Sequence, residues 1–140
     1  MQRSPHFGIV VGEKSGDILG AGLIRELRKI YPDATFVGVA GPEMSALGCE
    51  SLVPMDRLSV MGFVEPLLRL RELLQIKQKL RERFIADNVS LFIGIDSPDF
   101  NLRLAKELKL SGLRTMHYVS PSIWAYRKSR IYKIKAAVDL

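Results

Sequence analysis

The chain has 140 residues, enough for one ordinary domain with a sizeable core and too few for two. Its composition, 47% hydrophobic and 26% charged, is that of an average soluble domain and excludes a disordered or fibrous chain, there being no low-complexity stretch or fixed-period repeat. A formal charge of +6 favours an anionic partner (nucleic acid, anionic lipid or a phosphorylated ligand), while the single cysteine, Cys49, excludes an intrachain disulfide framework and a cysteine-rich metal site.

The first apolar run, Phe7 to Val11, reads as a strand and is far shorter than a signal-peptide core. Nowhere do about 20 apolar residues run without a charge, so neither export nor a membrane span is expected. The turn Gly12-Glu13-Lys14-Ser15-Gly16-Asp17 follows. Its glycines would let backbone N–H groups approach a ligand, and a helix N-terminus favours an anion. It is neither G-x-G-x-x-G nor the G-K-[ST] phosphate loop, and a plain turn with Ser15 or Asp17 as helix cap explains it as well. Ile18 to Ile30 then carries Leu19, Leu23, Leu27 and Ile30 at helical spacing, the apolar face of a crossover helix.

Thr35 to Ala40 is the second expected strand, ending at Gly41-Pro42 without the acidic residue that would hold a ribose. A short helical piece and a third strand, Glu50 to Val53, come next. Pro66 begins a helix expected to run to about Phe84, proline being tolerated at a first helical position. In it Arg69, Arg71, Lys77, Lys79, Arg81 and Arg83 stand against Glu72 and Glu82. Leu67, Leu70, Leu73, Leu74, Ile76, Leu80 and Phe84 form a broad apolar face, most of which core packing would explain. Leu68, off that face, and the lead-in Val60, Met61, Phe63 and Val64 are assigned to membrane or acyl-chain contact, as a basic amphipathic helix suggests. Leu67 is expected to dock on an anionic bilayer with Phe63, Val64 and Leu68, Arg69 and Arg71 adding attraction to anionic lipid.

The fourth strand, Ser90 to Ile95, opens on Asp96-Ser97-Pro98-Asp99. Pro98 is expected to keep Ser97 extended, Asp99 is the better cap for the helix Asn101 to Leu110, and Asp96 the better candidate for chemistry. As a general base Asp96 could take the proton of an attacking hydroxyl; a structural acid bonded to neighbouring turns is the alternative. Gly112 closes that helix, and Arg114 to Val119 is the fifth strand. His117 in it reads first as a satisfied core residue, and His6 as part of the N-terminal tail, so a metal site has no support. Ser120, Ser122, Trp124 and Arg127 crowd one loop with hydroxyls, an aromatic and a guanidinium, a mixture suited to a sugar or phosphate. Tyr126 to Ala137 reads as a last helix, and Val138-Asp139-Leu140 as the start of another strand, suggesting a longer protein. The alternation predicts an α/β domain, a doubly wound parallel sheet of Rossmann-like type whose ligands bind at the carboxyl ends of the strands.

Taken in order, G-E-x-S-G-D-I-L-G-A-G from Gly12, V-A-G-P-x-M from Val39, V-M-G from Val60, G-I-D-x-P-D-F-N from Gly94 and H-Y-V-S-P-S-x-W-A from His117 resemble the N-terminal region of the lipid-A-disaccharide synthase family. The match spans nearly the whole chain. Tyr126 stands where the family usually repeats tryptophan, and Lys14 and Ser97 are departures inside motifs.

The resemblance implies a glycosyltransferase of the GT-B type, two Rossmann-like domains across a cleft, this chain being the acceptor-side domain and the UDP domain lying beyond it. It implies transfer of 2,3-diacylglucosamine from its UDP derivative to 2,3-diacylglucosamine 1-phosphate, inverting and without metal or other cofactor. Asp96 would be the base. Gly12, Ser15, Gly16, Asp17, Met61, Asp99, His117, Ser120, Ser122, Trp124 and Arg127 would line the substrate site. The setting would be cytoplasmic, peripheral on the inner face of a bacterial inner membrane, with a homodimer one assembly open to the full-length protein. Two other readings are a dinucleotide-dependent oxidoreductase, opposed by the missing fingerprint, and a basic nucleic-acid-binding module, opposed by the lack of a recognisable motif.

Overall fold

A computed structural model of the chain describes residues 4–59 and 66–118. Five parallel strands form one sheet: β1 (His6–Val10), β2 (Thr35–Val39), β3 (Glu50–Ser51), β4 (Leu91–Ile95) and β5 (Thr115–Tyr118), in the order β3-β2-β1-β4-β5. Helices cover both faces, as parallel sheets require. The longer ones are α1 (Lys14–Ile30), α4 (Pro66–Asp87) and α5 (Pro98–Leu110), with α2 (Pro42–Ala46) and α3 (Asp56–Ser59) between β2 and α4. The expected α/β class and doubly wound parallel sheet are therefore present.

The sheet has two apolar faces because successive strand residues point to opposite sides. Val10, Val37, Val39 and Phe92 meet Ile76, Leu80 and Phe84 of α4 and Leu104, Ala105 and Leu108 of α5. Phe7, Ile9, Val11, Phe36, Ile93 and Ile95 meet Ala21 and Ile24 of α1 and Met44 of α2. The register sets Val10 of β1 beside Val39 of β2 and Gly94 of β4, so the carboxyl ends of the three central strands are level.

Four expectations are corrected. Helix α1 starts at Lys14, four residues before the expected Ile18, so Ser15, Gly16 and Asp17 lie in its first turn. Its buried face is Gly16, Asp17, Gly20, Ala21 and Ile24, not the leucine stripe: Leu19 and Ile30 are exposed, and Leu23 and Leu27 pack at its flank. Small residues win that face because they let the helix approach α2, where a side chain on Gly20 would meet the Met44 sulfur.

In α4 the core takes only Ile76, Leu80 and Phe84, so packing does not account for the rest of the apolar stripe. His6, read as tail, begins β1, its Nδ1 2.7 Å from the Thr35 hydroxyl and its Nε2 3.0 Å from Asp87. Extended pairing with β2 carries it into the sheet.

Met61, Phe63, Val64, Val119, Ser120, Ser122, Trp124 and Arg127, with the expected helix Tyr126 to Ala137, lie outside the described residues. Among those described, no helix is long and apolar enough to cross a membrane.

Candidate functional site

In a sheet of this kind the crevice opens where the strand order reverses, here between the carboxyl ends of β1 and β4. The turn after each strand enters that crevice. Gly12, after β1, lies so close to the turn after β4 that a Cβ on it would stand 2.5 Å from the Ser97 hydroxyl oxygen; any side chain would push the two turns apart.

Asp96 follows β4 directly and is 6% exposed. Both it and Ser97 are left-handed, with φ of 50° and 41°, a conformation that costs a residue with a side chain about 1 to 3 kcal/mol. The expectation that Ser97 is extended thus fails. Pro98 bars the right-handed helical region to the residue before it, and with α5 starting at Pro98 itself the chain turns through the left-handed region instead.

Three contacts hold this turn. The Asp96 N–H donates to the Tyr118 carbonyl at 2.8 Å, the Asn101 N–H donates to the Ser97 carbonyl at 2.9 Å, and the Asn101 Nδ2 donates to the Asp96 carbonyl at 2.9 Å. Ser97, not Asp99, occupies the N-cap position of α5, without a side-chain capping bond. Asp99 stands exposed in the first turn, where its charge complements the helix dipole.

Asp17 has a structural task. Its carboxylate, 2% exposed, accepts the backbone N–H groups of Gly41, Glu43 and Met44 at 2.9–3.1 Å. It caps α2, a neighbouring helix, in place of its own; α1 has Glu13 at its N-cap without a side-chain bond. Ser15 is exposed and Gly12 and Gly16 are buried at the base of the crevice.

His117 pairs with Gly94 across β4 and β5, and its Nδ1 lies 3.1 Å from where a Cβ on Gly94 would be. Burial pushes the imidazole down to about 4, against the pull of the nearby Asp96 charge. It is neutral at pH 7 and offers a phosphate no positive charge. Cys49 is likewise inert, its thiol raised to about 12, first by burial and then by Asp17 and Glu50.

Sequence reasoning took Asn101 as the start of a helix and the last residue of a motif, and gave it no task. It is fully buried, and its Nδ2 lies within 3.4 Å of the carbonyls of Val10, Ile95 and Asp96. The available signal was its spacing from the buried Leu104, Ala105 and Leu108, which sets a polar side chain on an apolar helix face.

The first half of α4 carries Leu67 at 73% exposure, with Leu68, Leu70 and Leu74 each about half exposed. Together with Arg71 and Lys79 they line an open groove. Arg69 turns inward, donating to the carbonyls of Arg57 and Leu58 at the end of α3. Among the described residues no cluster of three or more His, Cys, Asp or Glu could hold a metal ion.

A family model described as lipid-A-disaccharide synthetase matches residues 7–140. Curated proteins named lipid-A-disaccharide synthase are similar along the whole chain. One from Saccharophagus degradans is 60% identical over 94% of the chain and 34% of its own length. One from Cellvibrio japonicus is 58% identical over 96% of the chain and 35% of its own length, and one from Vibrio cholerae 56% identical over all of the chain and 37% of its own length. The chain therefore spans about a third of the length of the curated relatives it matches. With motifs in register from the first strand to the loop after the fifth, the chain belongs to the lipid-A-disaccharide synthetase family.

Proposed function

We propose that the chain is the acceptor-side domain of a glycosyltransferase that moves 2,3-diacylglucosamine from UDP-2,3-diacylglucosamine to 2,3-diacylglucosamine 1-phosphate. The observation that carries this reading is the buried carboxyl of Asp96, held in a strained turn at the strand-order reversal of a chain belonging to this family. In the proposed step Asp96 takes the proton of the acceptor 6-hydroxyl. The hydroxyl oxygen then bonds to the anomeric carbon of the donor as its bond to UDP breaks, inverting that carbon and giving a β-1,6 disaccharide 1-phosphate.

Helix dipoles and basic side chains are enough to stabilise a departing diphosphate, so the reading requires no metal. Activity should survive a chelator. The UDP site belongs, on this reading, to the part of the relatives beyond the third that this chain matches. Gly12, Ser15, Gly16 and Asp99 border the crevice, and Met61, His117, Ser120, Ser122, Trp124 and Arg127 complete the proposed substrate site.

The exposed leucines of α4, with Phe63 and Val64, are proposed to rest on the inner face of the bacterial inner membrane, where the acyl chains of both substrates are anchored. Arg71 and Lys79 supply the attraction to anionic lipid, each worth about 1 kcal/mol near such a surface.

The test of the reaction is Asp96→Asn in the full-length enzyme. It keeps the shape of the turn and removes the proton acceptor, so turnover should fall by about a hundredfold to ten-thousandfold. Asp99→Asn, which removes an exposed first-turn charge, should be far milder. Near-normal turnover by Asp96→Asn with authentic disaccharide product defeats the assignment.

A further inference from the structure

We infer that Asn101 is a positioning residue for Asp96, fixing the catalytic turn through the backbone while touching no substrate; this rests on the reading of Asp96 as the base. The side chain is completely buried, one turn into α5, on the helix face that otherwise holds Leu104, Ala105 and Leu108. A leucine would suit that face better. What the amide does there is bind carbonyls: Nδ2 reaches those of Val10 at 3.3 Å, Ile95 at 3.4 Å and Asp96 at 2.9 Å. All three partners are acceptors, so the orientation of the amide follows from chemistry, since a flipped oxygen would meet three oxygens.

Those carbonyls belong to the end of β1, the end of β4 and the left-handed residue itself. One side chain thus ties together the two strands that flank the crevice and the turn that carries the carboxylate. The other amide atom, Oδ1, is buried and finds no hydrogen-bond partner among the described residues. Burying an unpaired oxygen costs stability, so Asn101 weakens the core, and the left-handed turn it holds is what it gives in return.

The neighbouring polar groups do not duplicate this task. The His117 Nδ1 lies on the same side of Gly94 as Asn101, with both ring nitrogens unpartnered among the described residues, so it holds none of the three carbonyls. The Asp96 N–H is held separately, by Tyr118. Without Asn101 the Asp96 carbonyl loses its side-chain donor, and the turn that carries the carboxylate is held less firmly. A displacement of about 1 Å in a reacting group is worth about a hundredfold in rate.

The experiment is steady-state kinetics of the full-length enzyme with Asn101→Leu and Asn101→Asp, alongside thermal unfolding of each. Asn101→Leu should lower kcat by about a hundredfold with KM little changed, because no substrate contact is lost. Asn101→Asp supplies the sharper reading. An ionised carboxylate facing three carbonyls repels them, whereas the protonated acid has an O–H to donate, and burial beside Asp96 raises the pKa of the introduced group.

Its kcat should therefore recover as the pH is lowered from about 8 to about 6, a window that buried carboxyls reach. The wild type, needing an ionised base, gains nothing there. A part that merely supports the fold would change the unfolding temperature without producing this inverted pH profile. If Asn101→Leu does not fold, the nearly isosteric Asn101→Asp gives the same reading.

Folded variants with kcat near that of the wild type at every pH, while Asp96→Asn is inactive, overturn the positioning role and leave the base standing. An active Asp96→Asn overturns both.

Discussion

Two buried polar side chains near the crevice behave differently under mutation and pH. Asp17 satisfies three backbone donors at the start of α2, so Asp17→Ala leaves three N–H groups without their acceptor. Charged hydrogen bonds of this sort contribute about 1.5 to 3 kcal/mol each and do not add independently. A loss of about 3 kcal/mol in urea unfolding is expected, with Asp17→Asn in between because it keeps one acceptor oxygen. His117 acts through protons. Folded, it titrates at about 4; unfolded, near 6.5. The unfolded chain therefore binds the extra proton between those values. Stability from this group is full above about pH 6.5, declines as pH falls to about 4 and is flat below, a loss of up to about 3 kcal/mol. Thermal unfolding from neutral to mildly acid pH should show that decline in the wild type and a shallower one in His117→Gln.

Asp96 and Asp17 mark how far the sequence could be read. That Asp96 sits at a strand end followed from the apolar run before it and Pro98 after it. That Asp17 serves another helix did not, because its partners at Gly41, Glu43 and Met44 are made neighbours only by the pairing of β1 with β2.

Among the elements, α4 divides into halves of different character. Its second half is core: Leu80 and Phe84 are fully buried, and the Phe84 ring packs 5.6 Å from that of Phe92 and against Gly8. Phe84→Ala should cost about 3 to 5 kcal/mol, and Gly8→Val should also destabilise, since its side chain would enter the Phe84 ring. Leu67→Ser with Leu68→Ser, in the exposed half, should change stability by no more than about 0.5 kcal/mol at either position, while weakening flotation with anionic vesicles. Equal flotation of the two folded proteins would remove these leucines from the proposed docking surface.

Periodicity gave the type of α4 and its extent to within three residues, yet assigned most of the leucine stripe to the core. Hydrophobic spacing reports which face is apolar and carries no information on how far the sheet beneath it extends. Here the sheet supports the turns from Ile76 onward.

For the molecule as a whole, the pattern of strands and helices was legible because a parallel sheet needs apolar strands and amphipathic crossovers in alternation. The proposed substrate site was legible only as motifs, since residues 120–127 lie outside the described residues. If vesicle binding is driven by Arg71, Lys79 and the remaining excess of positive charge, it should weaken steeply as salt rises above physiological strength, the screening length shrinking from about 8 Å to about 3 Å at 1 M. Salt-independent binding would mean that the leucines alone carry it.

The strand order itself has a consequence for how the chain acquires its structure. β1 is made first and lies between β2 and β4. Its pairing with β2 joins residues about 30 apart in the chain, His6 with Thr35, but its pairing with β4 joins Phe7 to Leu91. During synthesis at about 5 to 20 residues per second, β1 therefore waits several seconds with one edge unpaired, until α4 has been made and β4 has left the ribosome. Only then can the crevice between β1 and β4 exist. The turn that carries Asp96 is accordingly among the last parts of the sheet to form, and a nascent chain arrested before Leu91 would carry an open β1 edge of the kind that chaperones cover.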